Sequence, residues 1–279
     1  MTLPIRVASQ ADLDRMVDWA AREGWNPGLS DAVAFFTADP GGFLVAEDEA
    51  GMAGCISAVR YGAGFGFIGF YIVRAELRGR GIGIALWREA MERLKGRAVG
   101  LDGVVAQQAN YRRSGFELAW RNVRYGAAAP RQVEGGTGEI VPASAVPAEA
   151  IAALDATVFP APRADFLRAW LSAPGHRALA VMRAGELAAF GVIRRCREGA
   201  KIGPLTAVDA AAARALFNAL IEGATGPLFL DLPQPNAEAV ALAEAAGMEP
   251  VFETARMYAG NPPAVMRERI FGVASFELG

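Results

Sequence analysis

The chain has 279 residues, 53% of them hydrophobic, with 28 basic against 30 acidic side chains and a net charge of −2. That composition excludes a disordered chain, leaves room for roughly two domains of ordinary size, and argues against a general nucleic-acid binder, which carries a basic excess. One histidine, His176, argues against a histidine-rich metal site or a histidine triad, and no apolar run reaches the ~18 residues of a membrane span.

Ile5–Val7 reads as a short first strand. Ser9 then caps a helix, with Asp12 three residues on completing a capping box. Leu13, Met16, Val17 and Ala20 recur at helical spacing, and Gly24 ends the helix. Trp25-Asn26-Pro27-Gly28 is a turn leading to a second short helix through Val33, Phe35 and Phe36. Asp39-Pro40-Gly41-Gly42 breaks the chain. Phe43–Glu47 and Met52–Tyr61 read as an antiparallel hairpin with an acidic turn ending at Gly51. Cys55 in this hairpin and Cys196 far downstream sit in apolar contexts, as reduced buried thiols of a cytoplasmic protein would. The N-terminus carries no secretory core, which agrees with that location.

An aromatic-rich strand follows and ends at Val73. A turn crowded with glycine and arginine comes next, and a helix begins near Ile82 with Leu86, Trp87, Ala90, Met91 and Leu94 on its apolar face. Gly79, Gly81 and Gly83 lack side chains where the helix opens. Its first N–H groups have no intrahelical partner, and the helix dipole favours negative charge there. Arg74, Arg78 and Arg80 add formal positive charge, so the corner suits a phosphate or pyrophosphate. Taken alone, it would equally fit a sharp turn with solvated arginines. Val99–Leu101 is a short strand, Val104–Ser114 a helix carrying Tyr111 near its end, and Phe116–Tyr125 the next strand.

Two motifs now stand together. Arg78-x-x-Gly81-x-Gly83 directly follows a strand, and 32 residues after Gly83 comes Gly115, inside Tyr111-x-x-x-Gly115-Phe116. This pairing resembles the GCN5-related N-acetyltransferase (GNAT) family. The resemblance implies an α/β (α+β) fold, with a mixed, mostly antiparallel central sheet flanked by helices. It implies acetyl-CoA as co-substrate and a primary amine of a small molecule or peptide as acceptor. Arg78, Gly79, Arg80, Gly81, Ile82 and Gly83 would hold the pyrophosphate. The backbone of Tyr71, Ile72 and Val73 would align the donor like an added strand, and Tyr111 would protonate the departing thiolate. Trp25 and Asn26, on the loop between the first two helices, would border the acceptor, although packing and turn formation explain them as well. Val104, Gln107 and Asn110 depart from the family's second motif, which weakens its asparagine contact without touching the tyrosine. No carboxylate lies on Phe65–Val73 to act as base. Water with a distant acid is one candidate, and Glu277 or the carboxylate of Gly279 is another if the tail folds back into the cleft.

From Gly126 to about Ala148 the chain is rich in Ala, Gly and Pro and reads as a linker with a short strand at Glu139–Val141. The second half then repeats the first faintly. Ala178–Met182 and Glu186–Arg194 match the hairpin, Lys201–Ala207 the central strand, Ala210–Ile221 its helix and Leu228–Leu232 the next strand. Asn236-x-x-Ala239-x-x-Leu242-Ala243-x-x-x-Gly247-Met248 keeps the scaffold of the second motif, with Ala243 where the tyrosine belongs. The glycine–arginine turn is replaced by Val208–Arg214 (VDAAAAR). These observations predict a tandem protein: residues 1–126 catalytic, 127–148 linker, 149–279 a degenerate GNAT-like domain that shapes the acceptor pocket or a dimer. His176 is expected in a loop or at the surface, and Arg112 and Arg113 on a solvated helix face. A nicotinamide-dependent oxidoreductase fits poorly, because Ile84 breaks the dinucleotide fingerprint although Asp102 lies at a suitable distance. An acyl-CoA-binding sensor without turnover is the remaining alternative. No nucleic acid, membrane or metal partner is expected, and self-association into a homodimer is left open.

Overall fold

In the computed structural model, which describes residues 3–279, thirteen strands form one continuous mixed sheet. The first half contributes β1 (Ile5–Val7), α1 (Gln10–Arg22), α2 (Asp31–Ala38), β2 (Phe43–Asp48), β3 (Gly51–Tyr61), β4 (Phe65–Val73), α3 (Ile82–Arg93), β5 (Ala98–Val104), α4 (Gln108–Arg113) and β6 (Glu117–Ala127). The second contributes β7 (Glu139–Pro142), α5 (Ala148–Asp155), α6 (Ala164–Ser172), β8 (His176–Arg183), β9 (Glu186–Arg195) and β10 (Ala200–Ala207). It continues with α7 (Ala210–Ile221), β11 (Leu228–Pro233), α8 (Ala237–Ala245), β12 (Glu249–Ala259) and β13 (Ile270–Gly272). The capping box is present at α1: Ser9 Oγ accepts from Asp12 N, and Asp12 Oδ2 accepts from Ser9 N at 2.9 Å. One expected element differs. The helix expected over Val104–Ser114 is a 3-10 turn at Val105–Gln107 followed by the six-residue α4. No side chain caps either piece, and the sequence there has none of the Ser, Thr or Asp residues that would favour a longer helix start.

The order across the sheet is β1-β2-β3-β4-β5-β12-β6-β11-β10-β9-β8-β7, with β13 paired on β10. Only β4 with β5 and β10 with β11 run parallel. The two halves are related by an internal pseudo-twofold, and each ends by giving its last long strand to the other. β12 of the second half lies on β5, and β6 of the first lies on β11. The exchanged strands pair with each other from Glu249↔Gly126 to Tyr258↔Glu117.

Helices cover both faces, so the strands are buried on both sides and read as continuous apolar runs. Phe43, Val45, Cys55 and Val59 face one way, with α1, α2 and α6. Leu44, Ala46, Ile56 and Ala58 face the other way, toward α3. The first of these cores joins the halves. Phe35 of α2 stacks on Trp170 of α6 at 5.7 Å between ring centroids.

Each parallel pair splays. β4 and β5 pair only from Phe65↔Ala98 to Ile68↔Leu101, so Gly69–Val73 and Asp102–Val104 diverge. A bulge at Phe70, whose φ is +47°, forces β4 away, an uncommon conformation for a bulky residue. In the second half, β10 and β11 pair from Ala200↔Leu228 to Ile202↔Leu230 and then part. There the gap holds β13: Leu205 pairs with Gly272, and Val273 N donates to Asp231 O at 2.8 Å. Among the described residues no helix is long and apolar enough to cross a membrane.

Candidate active site

The open splay between β4 and β5 is a cavity of about 650 Å³. One end is the turn before α3. Gly79 and Gly81 adopt φ of +78° and +87°, which glycine reaches without the cost that a side chain would add. A Cβ at either would meet nothing within 4 Å, so the bare backbone faces open space, and no side chain caps α3. The first N–H groups of α3 are therefore free for an anion. Gly83 is small for another reason: a Cβ there would stand 2.8 Å from the Tyr71 hydroxyl.

The three arginines of the turn separate. Arg78 lines the cavity, donates to Val73 O at 3.0 Å and pairs with Glu23 on a largely exposed edge. Such a pair contributes little and yields readily to a competing anion. Arg74 is engaged by Asp48 and Glu76 and does not line the cavity. Arg80 and Ile82 line a smaller recess on the far side of the turn, beside Arg88.

Tyr111 lines the same cavity and is 9% exposed. Its ring rests on β5 where Gly103 leaves room; a Cβ at Gly103 would be 2.3 Å from Tyr111 Cε2. Trp87 of α3 packs against the other side at 5.7 Å, and Tyr71 packs on Trp87 at 5.6 Å. Burial pushes the Tyr111 phenol up to about 12, with the neighbouring Tyr71 phenol adding to it. Tyr71, Ile72, Val73, Arg78, Gly79, Gly81, Gly83 and Tyr111 thus share one cavity wall.

The opposite end is built largely by the second half. Phe252 and Thr254 come from the exchanged strand β12, and Phe276 and Glu277 from the C-terminal tail; Trp25 and Phe70 complete it. Nothing local in the sequence marks Phe252, Thr254 or Phe276, because their partners lie far away in the chain. Asn26 is not part of this wall. Its amide holds the β9–β10 turn, donating to Glu198 O at 2.9 Å and accepting from Glu198 N at 3.1 Å. Its φ of +48° also marks it as a turn former.

The tail does fold back into the cleft, on the strength of Glu277 rather than the terminal carboxylate. Gly69 admits it: a Cβ there would stand 2.1 Å from the Glu277 carbonyl oxygen. Tyr61 donates to Leu278 O at 3.2 Å, and Arg163 to Gly279 O at 2.9 Å. Behind this wall lies a buried ionic cluster. Arg124 holds Asp231 through two hydrogen bonds of 2.6 and 2.8 Å, and Lys201 Nζ is 3.5 Å from the same carboxylate. Arg194 pairs with Asp31 at 3.0 Å.

His176 belongs to this cluster, contrary to the expected surface position. Its side chain is 1% exposed, its Nδ1 lies 2.8 Å from Trp170 O and its Nε2 is 3.6 Å from Asp31. Its neighbours Pro174 and Gly175 suggested a loop, but β8 begins at His176 and carries it inward. Arg112 and Arg113 are exposed, and both cysteines are free and buried, their thiols raised by burial. Among the described residues no group of metal-ligating side chains is assembled. Asp102, which a nicotinamide site would need, is held by Arg256 at 2.6 and 2.7 Å and by Asn122 at 2.8 Å.

Residues 11–116 match the model of the Acetyltransferase (GNAT) family, and residues 151–272 match that of an Acetyltransferase (GNAT) domain. Over 264 residues the chain is 30% identical to the holothin acyltransferase of Pseudoalteromonas sp. (strain SANK 73390), covering 94% of this chain and 90% of that protein. A putative acetyltransferase from Pyrococcus horikoshii superposes with a TM-score of 0.84 at 22% identity, over 100% of this chain and 96% of its own. A tandem GNAT protein from the clavulanic acid biosynthesis pathway gives 0.64 at 16%, over 93% and 99%. At those identities the two structures speak for the fold. Both halves are thus matched separately: the chain belongs to the GCN5-related N-acetyltransferase family as two such domains in tandem, an acyltransferase that draws on an acyl-CoA donor.

Proposed function

We propose that the chain transfers an acetyl group from acetyl-CoA to a primary amine by direct attack, in the cavity between β4 and β5, with Tyr111 serving the leaving sulfur. The observation that carries this is the convergence of the bare α3 start and the Tyr111 ring on one cavity. Acetyl-CoA supplies an activated thioester. The chain supplies the rest: Gly79 to Gly83 and Arg78 for the pyrophosphate, and the edge of Tyr71 to Val73 that parts from β5 for alignment. Residues 1–126 carry the donor site in this reading, 127–148 link, and 149–279 bind no donor. Two features support the inert second half: β13 fills its splay, and Ala243 stands at the tyrosine position.

The Tyr111 phenol, near 12, is well above a reference thiol at about 8.5. It is protonated at every ordinary pH, but full transfer to sulfur is uphill by a few kcal/mol at ~1.4 kcal/mol per pKa unit. Tyr111 therefore acts by donating a hydrogen bond as charge develops on sulfur, with the proton following late.

Thiol release from acetyl-CoA over an amine panel tests the reading, with holothin as the first acceptor because the 30%-identical relative is named for it. Tyr111→Phe is expected to lower kcat about 100-fold or more while acetyl-CoA binding persists. Gly81→Val is expected to abolish acetyl-CoA binding in a folded protein. Donor binding with no turnover on any amine, and no effect of Tyr111→Phe, would make the chain a sensor instead.

A further inference from the structure

Attack on a thioester needs a neutral amine, and at neutral pH an alkylamine arrives as an ammonium ion. Three carboxylates line the cavity: Glu23, Asp102 and Glu277. Glu23 pairs with Arg78 at the exposed donor end. Asp102 accepts from Arg256 through both oxygens and from Asn122. Glu277 is different. It is 3% exposed, and its Oε1 has no hydrogen-bond partner among the described residues. A second buried polar atom without a partner, Thr254 Oγ1, lines the same cavity, at a residue 2% exposed. Buried polar atoms left unpaired are costly, and both of these belong to residues that line the cavity. The rest of that wall is Trp25, Phe70, Phe252 and Phe276.

We propose that Glu277, carried by the C-terminal tail of the second half, is the base that deprotonates the acceptor, and that the acceptor is an ammonium group on a flat, apolar body without an anionic group. This rests on the amine-transfer reading above. The tail is fixed well enough for the role. Val273 is bonded to β11, Leu278 N donates to Ser275 Oγ at 3.1 Å, and Arg163 holds Gly279. Gly69 and the Glu277 backbone are in a contact that no larger residue would allow.

The charged groups that act on Glu277 are Lys201 from β10, Asp31 from α2 and Arg124 from β6. Burial raises the Glu277 carboxyl above the ordinary range; Lys201 and Arg124 oppose that and Asp31 reinforces it. Both cations are already shared with Asp231, so neither neutralises Glu277 fully. A carboxyl raised in this way binds a proton more tightly than an exposed one, as a proton acceptor should.

The step balances as follows. One ammonium proton passes to a Glu277 oxygen, and the nitrogen lone pair forms the C–N bond as the C–S bond breaks. Sulfur leaves with the electron pair and takes the Tyr111 proton. The second nitrogen proton replaces the one Tyr111 gave, and Glu277 returns its proton to water. An amide, a thiol and one released proton result.

The test is thiol release from acetyl-CoA with phenethylamine, tryptamine and glycine across the pH range, for the full chain and for Glu277→Gln and Glu277→Asp. The two arylalkylamines are expected to exceed glycine in kcat/KM. Glu277→Gln should lose about 100-fold or more in kcat together with the acid limb of the kcat profile, at unchanged acetyl-CoA affinity. Glu277→Asp should keep the limb at reduced kcat, which a purely structural role would not produce; it also serves if the Gln variant fails to fold. A Gln variant with wild-type kcat and an unmoved acid limb, or glycine as the better acceptor, overturns the proposal while amine transfer stands. Failure of the wild type with every amine overturns both.

Discussion

Gly103 does as much to place Tyr111 as the helix that carries it. α4 is only six residues long and uncapped, too short to hold a bulky ring unaided. The ring is fixed by lying on the backbone of β5, and a Cβ at Gly103 would meet Cε2 at 2.3 Å and Cδ2 at 2.8 Å. No rotation of a small group relieves that overlap; the phenol must leave its seat. Gly103→Val is therefore expected to lower kcat by about the same ~100-fold as Tyr111→Phe, since both remove the same group from the leaving sulfur. Acetyl-CoA affinity, set at the turn before α3, should stay near wild type in a calorimetric titration. Wild-type kcat in Gly103→Val would mean that the phenol at this seat is not the acting group. The glycines of the turn have another logic. Gly79 and Gly81 are needed for positive φ, whereas Gly83 and Gly103 are needed for close approach by tyrosine rings.

Among the elements, the junction of β6 with β11 carries a buried ionic contact between the halves. Arg124 comes from the first half and Asp231 from the second, both almost fully buried. Burial alone would raise the Asp231 carboxyl, but Arg124 and Lys201 outweigh it and hold it at about 2. A carboxyl depressed on folding stabilises the fold above its unfolded value of 3.8, and that contribution fades as pH falls through about 2. Arg124→Met takes both guanidinium hydrogen bonds from Asp231, leaving it Lys201 at 3.5 Å, and removes the guanidinium that lies over Phe252 and Phe276 at 5.5 and 5.2 Å. The expected cost is about 3–5 kcal/mol at neutral pH by urea unfolding. The deficit should shrink on acidification, because the stranded carboxyl then protonates and is no longer a buried charge. A deficit that is small, or constant with pH, would show that Asp231 does not depend on Arg124.

None of this contact was legible in the sequence, although each strand was. Period and turn chemistry located the elements of the first half and those from β8 to β11, but nothing in the sequence marked α5, α6, β12 or β13; the Arg78–Gly83 and Tyr111–Phe116 motifs pointed to one cavity because their geometry is local. What the sequence hid is what depends on pairing at long range. Asn26, which the sequence left between an acceptor contact and a turn former, holds a turn near Glu198. His176 looked like a loop residue but is buried against Asp31. Arg74 adds to the formal charge of the turn in the sequence, but Asp48 and Glu76 engage it. Phe252, Thr254 and Phe276 carry no local signal at all.

At the scale of the molecule, the exchange of β6 and β12 makes the tandem halves one body. The same trade between two copies of a domain would make a symmetric dimer; here a single chain performs it internally. Each half on its own lacks the strand that covers its β5 or β11, and an uncovered central strand exposes a full row of hydrogen-bonding groups and apolar side chains. The core shared by α2 and α6 adds to the dependence, since Phe35 and Trp170 would each lose a stacked partner. The cavity is divided in the same way, with its donor end on the first half and much of its other wall on the second. Residues 1–126 produced alone are therefore expected to be aggregated or unfolded, despite containing both donor motifs. Co-production with residues 127–279 should restore a soluble complex that binds acetyl-CoA, and the intact chain should unfold in one transition by fluorescence and circular dichroism alike. If residues 1–126 alone were a folded monomer with the full chain's acetyl-CoA affinity, the exchanged strand would be dispensable to the first half, and the second half would serve the acceptor alone.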